Sequence, residues 1–140
     1  MTVKAIPEGF HSVTPYLLVR DVRALIEFLK KSFDAKETFL HDLGNGHVHA
    51  EVTIGDSVVM IGQSDPMPAQ IYLYVNDVDA TYKRALQAGA TSISEPADQP
   101  YGDRNAGLKD PSGNTWYVAT HKEDVSPEEI QRRLETAGRS

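Results

Sequence analysis

The sequence predicts an α+β fold of two tandem βαβββ modules, in which eight strands form a curved sheet or half-barrels around a cleft, with an extra C-terminal helix. The main evidence is an internal repeat. The nine residues Tyr16 to Ala24 recur as Tyr72 to Ala80, at an offset of 56 and with six positions identical. The second observation is that each copy changes from the period-two pattern of a strand to helical spacing. A duplicated open sheet can enclose the concave kind of site in which small molecules bind.

The composition is that of one globular domain over residues 1–140. The chain is 40% hydrophobic and 24% charged, which is ordinary for a soluble protein. A net charge of −6 without a stretch dense in Lys and Arg argues against nucleic-acid binding. The absence of cysteine excludes disulfides and thiolate metal sites. No signal peptide or membrane span is visible, so we expect a cytoplasmic protein with no membrane partner.

The first module is expected over about residues 12–62. Leu17 and Val19 alternate with the two residues beside them, as in a strand with one apolar face. Asp21 then occupies an N-cap position and precedes an apolar helical stripe. Three strand-like segments with turns between them complete the module; they are Glu37–His41, His47–Ile54 and Ser57–Ile61.

The second module is expected over about residues 69–121, after a linker of about residues 63–68. Its first strand carries Leu73 and Val75 on an apolar face, and Asp77 repeats the N-cap. The turn 110–114, with sequence DPSGN, separates the last two strands. The segment 96–103 contains two prolines and a glycine and is expected to be a loop. The later strands are expected at Thr91–Ser94, Arg104–Lys109 and Thr115–Thr120.

A separate helix is expected at the C-terminal end, over about residues 127–137. Ser126 has the type of side chain that caps a helix N-terminus, and Pro127 follows at the first helical position. Glu129 lies three residues after Ser126, which is the spacing of a capping box. Because Ile130 and Leu134 are its main apolar residues, the helix is expected to pack on the outside or against a partner subunit.

The repeat at this spacing, together with the DPSGN turn before a final strand, resembles the vicinal oxygen chelate superfamily over residues 12–121. This superfamily contains glyoxalase I, bleomycin-resistance proteins and extradiol dioxygenases. The segments GDR at 102–104 and ATH at 119–121, with Trp116, are similar to a bacterial subgroup labelled demethylubiquinone-methyltransferase-like. The resemblance implies two half-barrels around a cavity, helices outside and often a homodimer.

Strand alternation assigns side chains to the two faces of the predicted sheet without reference to the family. Leu17 and Leu73 must face the helices, which need an apolar surface, so Tyr16 and Tyr72 lie on the opposite face. The same phase places His49 and the acidic residue after it on that face. The predicted ligand-binding set is Tyr16, His49, Glu51, Met60, Gln70, Tyr72, Tyr74, Arg104 and Tyr117.

The tyrosines of this set are consistent with two alternatives. They can stack on a flat ligand and orient it through their hydroxyls. They can equally fill a barrel interior that holds no ligand. Tyr101 and Arg104 flank a glycine-containing loop that could close over the cleft or could simply be solvated.

The resemblance also implies a divalent metal, which in the superfamily is held by residues of the first and last strands of each module. The matching positions here are Thr14, Met60, Gln70 and Tyr117. Only Gln70 carries a plausible donor, because hard cations prefer carboxylate, amide or imidazole ligands. We therefore expect no metal ion at these positions.

A second set of metal donors has to be considered. His47 and His49 lie two residues apart on one strand face, with Glu51 next along, and could bind an ion together with Gln70. The alternative is that they are polar residues of a partly hydrated strand. His49 and Glu51 could also act as a base and the group that orients it.

Three functions are compatible with these patterns. The first is a metal-independent protein that binds an aromatic or amphiphilic small molecule in the cleft, as bleomycin-resistance proteins do. The second is a glyoxalase-like lyase, isomerase or dioxygenase that uses one divalent metal ion. The third is an interaction protein whose cleft is vestigial. The sequence favours the first, with no cofactor and with a homodimer as the assembly.

Overall fold

A computed structural model describes residues 2–138 of the chain as two four-stranded sheets and three helices. The α+β class and the tandem βαβββ modules are confirmed. The first module contains β1 (Tyr16–Val19), α1 (Val22–Phe33), β2 (Lys36–Asp42), β3 (Val48–Ile54) and β4 (Ser57–Gln63). The second contains β5 (Gln70–Tyr74), α2 (Val78–Gln87), β6 (Thr91–Asp98), β7 (Asp103–Lys109) and β8 (Thr115–His121), followed by α3 (Pro127–Ala137).

The two sheets repeat one topology. The first, which we call sheet A, has the order β1-β4-β3-β2, and the second, sheet B, has the order β5-β8-β7-β6. The first strand of each module runs parallel to the last, and the remaining pairs are antiparallel. A parallel pair needs a crossover connection, which α1 and α2 begin. The register pairs Tyr16 with Met60 and Tyr72 with Tyr117.

The core lies between the helices and one face of each sheet. Leu17, Val19 and Trp116 are at most 1% exposed, as the strand phase predicts. The helices α1 and α2 contact each other, and the ring of Phe33 in α1 lies 5.0 Å from that of Trp116 in β8. Buried residues of both modules therefore form one continuous core. No helix within residues 2–138 is both long and apolar enough to span a bilayer.

Strand ends differ from the sequence-based expectation in the second module. β6 continues to Asp98, although 96–103 was expected to be a loop, and β7 begins one residue early, at Asp103. Pro96 is tolerated because β6 is an edge strand, where a missing backbone donor costs little, and its pairing with β7 shifts register twice. The earlier start of β7 is important because it fixes the direction of the Asp103 side chain.

All three helices begin with the predicted cap. Asp21 and Asp77 accept hydrogen bonds from the backbone N–H of Ala24 and Ala80 at 3.0 and 3.1 Å. The hydroxyl of Ser126 accepts from the N–H of Glu129 at 3.1 Å. The Glu129 side chain does not complete a capping box; instead it pairs with arginines of the next turn, Arg132 and Arg133.

We expect Ser126→Ala to destabilise α3 by about 1 kcal/mol, because the mutation leaves a helix N-terminal N–H without its acceptor. The measurement is hydrogen exchange at the amides of the first turn of α3. Ser57→Ala, which changes an exposed hydroxyl bonded to the adjacent Asp56, is the matched control. Unchanged protection of the α3 amides in Ser126→Ala would contradict the capping assignment.

Candidate functional site

The candidate site residues lie on the sheet faces that point away from the helices. These faces, which we call the open faces, carry rings that are substantially exposed: Tyr16 by 50%, Tyr72 by 43% and Tyr74 by 60%. The residues that alternate with these tyrosines form the core or pack against it. The phase predicted from the sequence is therefore confirmed for these strands, and each module presents its own polar and aromatic surface.

The open face of sheet A carries a chain of three polar groups. The hydroxyl of Tyr16 is hydrogen-bonded to Nδ1 of His49 at 3.0 Å, and Nε2 of His49 lies 3.6 Å from the Glu51 carboxylate. The ring of Phe39 on β2 meets the His49 ring edge-on, with centroids 6.1 Å apart. Both imidazole nitrogens thus face protein groups: Nδ1 is hydrogen-bonded to Tyr16, and Nε2 lies close to the Glu51 carboxylate but outside hydrogen-bond distance.

Gly62 explains how the Tyr16 ring lies flat on sheet A. A Cβ at position 62 would come within 2.9 Å of ring and hydroxyl atoms of Tyr16, well inside van der Waals contact. Residue 62 pairs with His49 in the register of β3 and β4. Glycine at this position leaves the space in which the Tyr16 hydroxyl reaches the imidazole.

The open face of sheet B is organised around one buried carboxylate, that of Asp103. Its side chain is 4% exposed. One oxygen accepts from the hydroxyls of Tyr72 at 2.7 Å and Tyr74 at 2.9 Å. The other oxygen faces Nδ1 of His121 at 2.8 Å, and Nε2 of His121 faces the exposed Asp124 at 2.8 Å. We call these five residues the Asp103 cluster.

The hydrogen bonds of the Asp103 cluster determine its charge. Burial opposes ionisation of Asp103, but bonds from Tyr72, His121 and Tyr74 outweigh it and hold the pKa of this carboxyl below its usual value. The bonds to Asp103 and Asp124 raise the pKa of His121. Burial and the bond to Asp103 raise the pKa of Tyr72, and the same bond raises that of Tyr74. At neutral pH the tyrosines are therefore protonated donors to a carboxylate.

The His121–Asp103 pair predicts a pH dependence of stability. A histidine pKa raised by folding stabilises the protein fully below the unfolded value of about 6.5, and the gain is lost as the pH rises through the folded value. Because folding lowers the pKa of Asp103, this carboxylate stabilises the folded protein above about pH 4, and that stabilisation is lost as the pH falls further. The stability difference between the natural protein and His121→Ala should therefore be largest at about pH 4.5–6 and shrink towards pH 8.

Urea unfolding at several pH values measures this difference. His47→Ala is the control, because His47 is exposed and forms no ion pair with a carboxylate in the described part of the chain. A stability difference for His121→Ala that stays constant, or grows, above pH 6.5 would contradict the assigned pairing.

Further side chains extend the Asp103 cluster across β7. Asn105, which is 7% exposed, donates from its amide nitrogen to the hydroxyl oxygens of Tyr72 and Tyr101, at 3.2 and 2.8 Å. Its amide oxygen accepts from the side chain of Gln99 at 3.0 Å. These contacts fix the position of the Tyr72 ring and connect it to the loop before β7.

The predicted set is divided between the two sheets. Sheet A holds Tyr16, His49, Glu51 and Met60, and sheet B holds Gln70, Tyr72, Tyr74 and Tyr117. Arg104 is part of the predicted ligand-binding set, and the structure places it within β7, beside α2. Its guanidinium donates twice to Asp79 of α2, at 2.9 and 3.0 Å, and once to Asp98. It is thus engaged in a structural ion pair.

The donor sets do not fit a divalent cation within one chain. Thr14, Met60 and Tyr117 provide no carboxylate, amide or imidazole donor, so Gln70 is the single plausible ligand among the four family positions. In the alternative set, His47 precedes β3 and is exposed, while His49 has Tyr16 and Glu51 at its two nitrogens. Within residues 2–138, no three His, Cys, Asp or Glu side chains are grouped as a metal site would require.

A groove of about 850 Å³ lies between the modules, along the edge strand β5 and the start of α2. Tyr72 and Tyr74 line one side of it. The turn between β3 and β4, at residues 55–56, and the end of α1 at Phe33 line the other side. The volume is in the range of small-molecule pockets, so the tyrosines of the Asp103 cluster adjoin a space that can hold a ligand.

Comparison with known proteins supports the fold and the family. The model of the glyoxalase/bleomycin resistance protein/dioxygenase superfamily matches residues 9–118. The chain belongs to this superfamily. Within the superfamily it is similar to Mb0911c, an uncharacterised protein of Mycobacterium bovis, with 33% identity over 143 aligned positions that cover 91% of this chain and 94% of that protein.

A shorter similarity connects the chain with the putative glyoxylase CFP32 of Mycobacterium bovis. The identity is 36% over 82 residues, which cover 55% of this chain and 31% of that protein. Among solved structures, TioX from Micromonospora sp. ML1 superposes with a TM-score of 0.70 at 22% identity, covering 79% of this chain and 98% of that one. A superfamily member from Sphaerobacter thermophilus gives a TM-score of 0.67 at 21% identity, over 79% of this chain and 96% of that one. At these identities the structural matches establish the fold.

Sequence reasoning missed the centre of the sheet B face. Asp103 was assigned to a loop, and the last strand was expected to end at Thr120, one residue before His121. Asp103 and His121 belong to the segments, GDR at 102–104 and ATH at 119–121, that resemble one subgroup of the superfamily. Those segments were the available signal, because β7 and β8 pair Asp103 directly with His121.

Proposed function

We propose that this superfamily member is a metal-independent protein that binds an aromatic or amphiphilic small molecule on its tyrosine-bearing faces. The observation that carries the proposal is the pair of exposed rings at Tyr72 and Tyr74, whose centroids are 5.3 Å apart and whose hydroxyls are held by Asp103. Rings that are fixed by hydrogen bonds present apolar area without losing rotamer freedom on binding. The adjoining groove supplies the volume.

The assembly is proposed to be a homodimer. Apolar side chains are exposed on both open faces, among them Phe39 by 45% and Ile93 by 46%, in addition to the tyrosines. Exposed apolar patches of this kind mark interaction surfaces in soluble proteins. A second copy placed over an open face would enclose the ligand. A monomer in light scattering at micromolar concentration would contradict this part of the proposal.

Tyr72→Ala should weaken binding of a neutral flat aromatic compound such as 2-naphthol by about threefold to tenfold, because it removes one of the two exposed rings on which the compound can stack. Titration calorimetry measures the affinity. Tyr72→Phe keeps the ring and is expected to stay within about twofold of the natural protein for this probe. Equal 2-naphthol affinity in the natural protein and Tyr72→Ala, or no binding to either, would contradict the stacking role.

The rival function is a divalent-metal-dependent lyase, isomerase or dioxygenase. The similarity to the putative glyoxylase CFP32, which extends over 82 residues, favours this rival function. Metal analysis of the purified protein decides between the two. Stoichiometric zinc, nickel, manganese or iron that is lost in His49→Ala would overturn the metal-independent proposal.

The proposal also includes the subgroup of the superfamily to which the chain belongs. We propose that the chain belongs to the demethylubiquinone-methyltransferase-like subgroup, which its 102–104 and 119–121 segments resemble. These segments carry Asp103 and His121 of the cluster. The cytoplasmic location and the absence of nucleic-acid and membrane partners remain predictions from the sequence.

A further inference from the structure

The Asp103 cluster combines aromatic rings and a buried negative charge in a way that restricts which ligands it can accept. Each phenol has a single proton, and in Tyr72 and Tyr74 that proton is donated to Asp103. These hydroxyls therefore have no proton left to donate to a ligand. What they offer is the lone pairs of their oxygens.

The two phenolic oxygens differ in what already occupies them. That of Tyr72 accepts a hydrogen bond from Asn105 at 3.2 Å. That of Tyr74 accepts none among residues 2–138, although its ring is 60% exposed. A hydroxyl that donates to a carboxylate is a better acceptor, since hydrogen bonds in a chain polarise one another. The hydroxyl oxygen of Tyr74 is thus accessible and can accept a hydrogen bond from a ligand.

The charges around the cluster favour the same kind of ligand. The Asp103 carboxylate lies at the hydroxyl ends of the two rings. Among residues 2–138, the imidazole that contacts this carboxylate, that of His121, also contacts the carboxylate of Asp124. Arg104, the next residue, is bonded to Asp79 and Asp98 instead. The faces of the rings carry negative electrostatic potential, which attracts cations. An anion on this surface would lie against a ring face and near the buried charge of Asp103, and both disfavour it.

We propose that the Tyr72–Tyr74 face binds a planar organic cation with N–H groups, such as an amidinium or a protonated aromatic amine. The two rings are inclined at 59° to each other, so the cation lies against the face of one of them. It donates a hydrogen bond to the Tyr74 oxygen, while Asp103 supplies the compensating charge. This inference rests on the proposed small-molecule function and names the chemical class of the ligand.

Three planar compounds of nearly equal shape test the inference: benzamidinium, benzamide and benzoate, with charges of +1, 0 and −1. Binding is measured by NMR titration of the aromatic signals of Tyr72 and Tyr74. We expect benzamidinium to bind about tenfold more tightly than benzamide, and benzoate to bind more weakly than both. In Asp103→Asn, the affinity for benzamidinium should fall to within about twofold of the affinity for benzamide.

Asp98→Asn is the matched control, because it removes an exposed carboxylate that is bonded to Arg104 on the other side of β7. It should leave the preference for benzamidinium unchanged. Tyr74→Phe keeps the ring and removes the accepting oxygen, so it tests the inference even if Asp103→Asn does not fold. It should lower the affinity for benzamidinium by about threefold or more and leave the affinity for benzamide unchanged.

Benzamide or benzoate binding as tightly as benzamidinium would overturn the cation inference and leave the proposed function standing. A preference for benzamidinium that survives both Asp103→Asn and Tyr74→Phe would overturn it as well. Absence of binding by all three compounds would also overturn it, whereas the proposed function is judged separately, by the neutral 2-naphthol titration.

Discussion

Asp110→Ala should lower the free energy of unfolding by roughly 3–5 kcal/mol. The Asp110 side chain is buried and accepts four hydrogen bonds in the turn between β7 and β8. They come from the backbone N–H of Ser112 and of Asn114, from the Asn114 amide, and from the indole N–H of Trp116 at 2.8 Å. The substitution leaves these donors without an acceptor in the core, which is far more costly than losing an exposed contact.

Urea unfolding monitored by Trp116 fluorescence measures the effect, since this indole is the only one in the chain. Asp56→Ala is the matched control, because Asp56 is exposed and lies in the equivalent turn between β3 and β4. Within residues 2–138, its side chain accepts a hydrogen bond only from the adjacent Ser57. That variant should stay within about 0.5 kcal/mol of the natural protein. A similar loss for the two variants would contradict the role assigned to the buried turn.

Gly102→Ala should lower the free energy of unfolding by about 3 kcal/mol and disturb the Asp103 cluster. Gly102 has a φ of +103°, a backbone conformation that residues other than glycine rarely adopt. A Cβ there would overlap the backbone carbonyl oxygen of Glu123, and the Gly102 carbonyl accepts from the N–H groups of Lys122 and Glu123. The alanine variant must therefore push the segment after β8 away from the start of β7.

The control for Gly102→Ala is Gly44→Ala, which has a similar φ of +79° but no atom within 4 Å of the added Cβ. It should cost only the backbone strain, about 1–2 kcal/mol. Chemical denaturation gives both stabilities, and the NMR signal of His121 reports whether the bond to Asp103 persists. Equal costs for the two variants, with an unperturbed His121, would show that the close approach is unimportant.

Local patterns were sufficient to predict most of the fold. The period-two alternation around Leu17 and Leu73 assigned the open and core faces correctly, because burial of one strand face is a local property of the chain. The caps at Asp21, Asp77 and Ser126 were predicted for the same reason, since each acts within three residues of itself. The duplicated segment then indicated two modules of the same topology.

The candidate site was predicted only in part. Tyr72 and Tyr74 were placed on the open face, but their partner Asp103 was assigned to a loop and Arg104 was expected near the cleft. The error was one residue in the start of β7. A strand boundary next to prolines and a glycine carries little periodic signal, so the alternation expected from Arg104 onwards was not extended back to Asp103.

The sequence by itself determined the α+β class, the two modules, the phase of their strands and the capped helices, because each depends on contacts between near neighbours in the chain. The tertiary structure alone decided that one carboxylate collects the hydroxyls of Tyr72 and Tyr74 and the imidazole of His121. Asp103 lies 29–31 residues from those tyrosines and 18 from the histidine. Only the pairing of β5, β7 and β8 in one sheet brings these side chains together, and that pairing depends on long-range packing that no local pattern encodes.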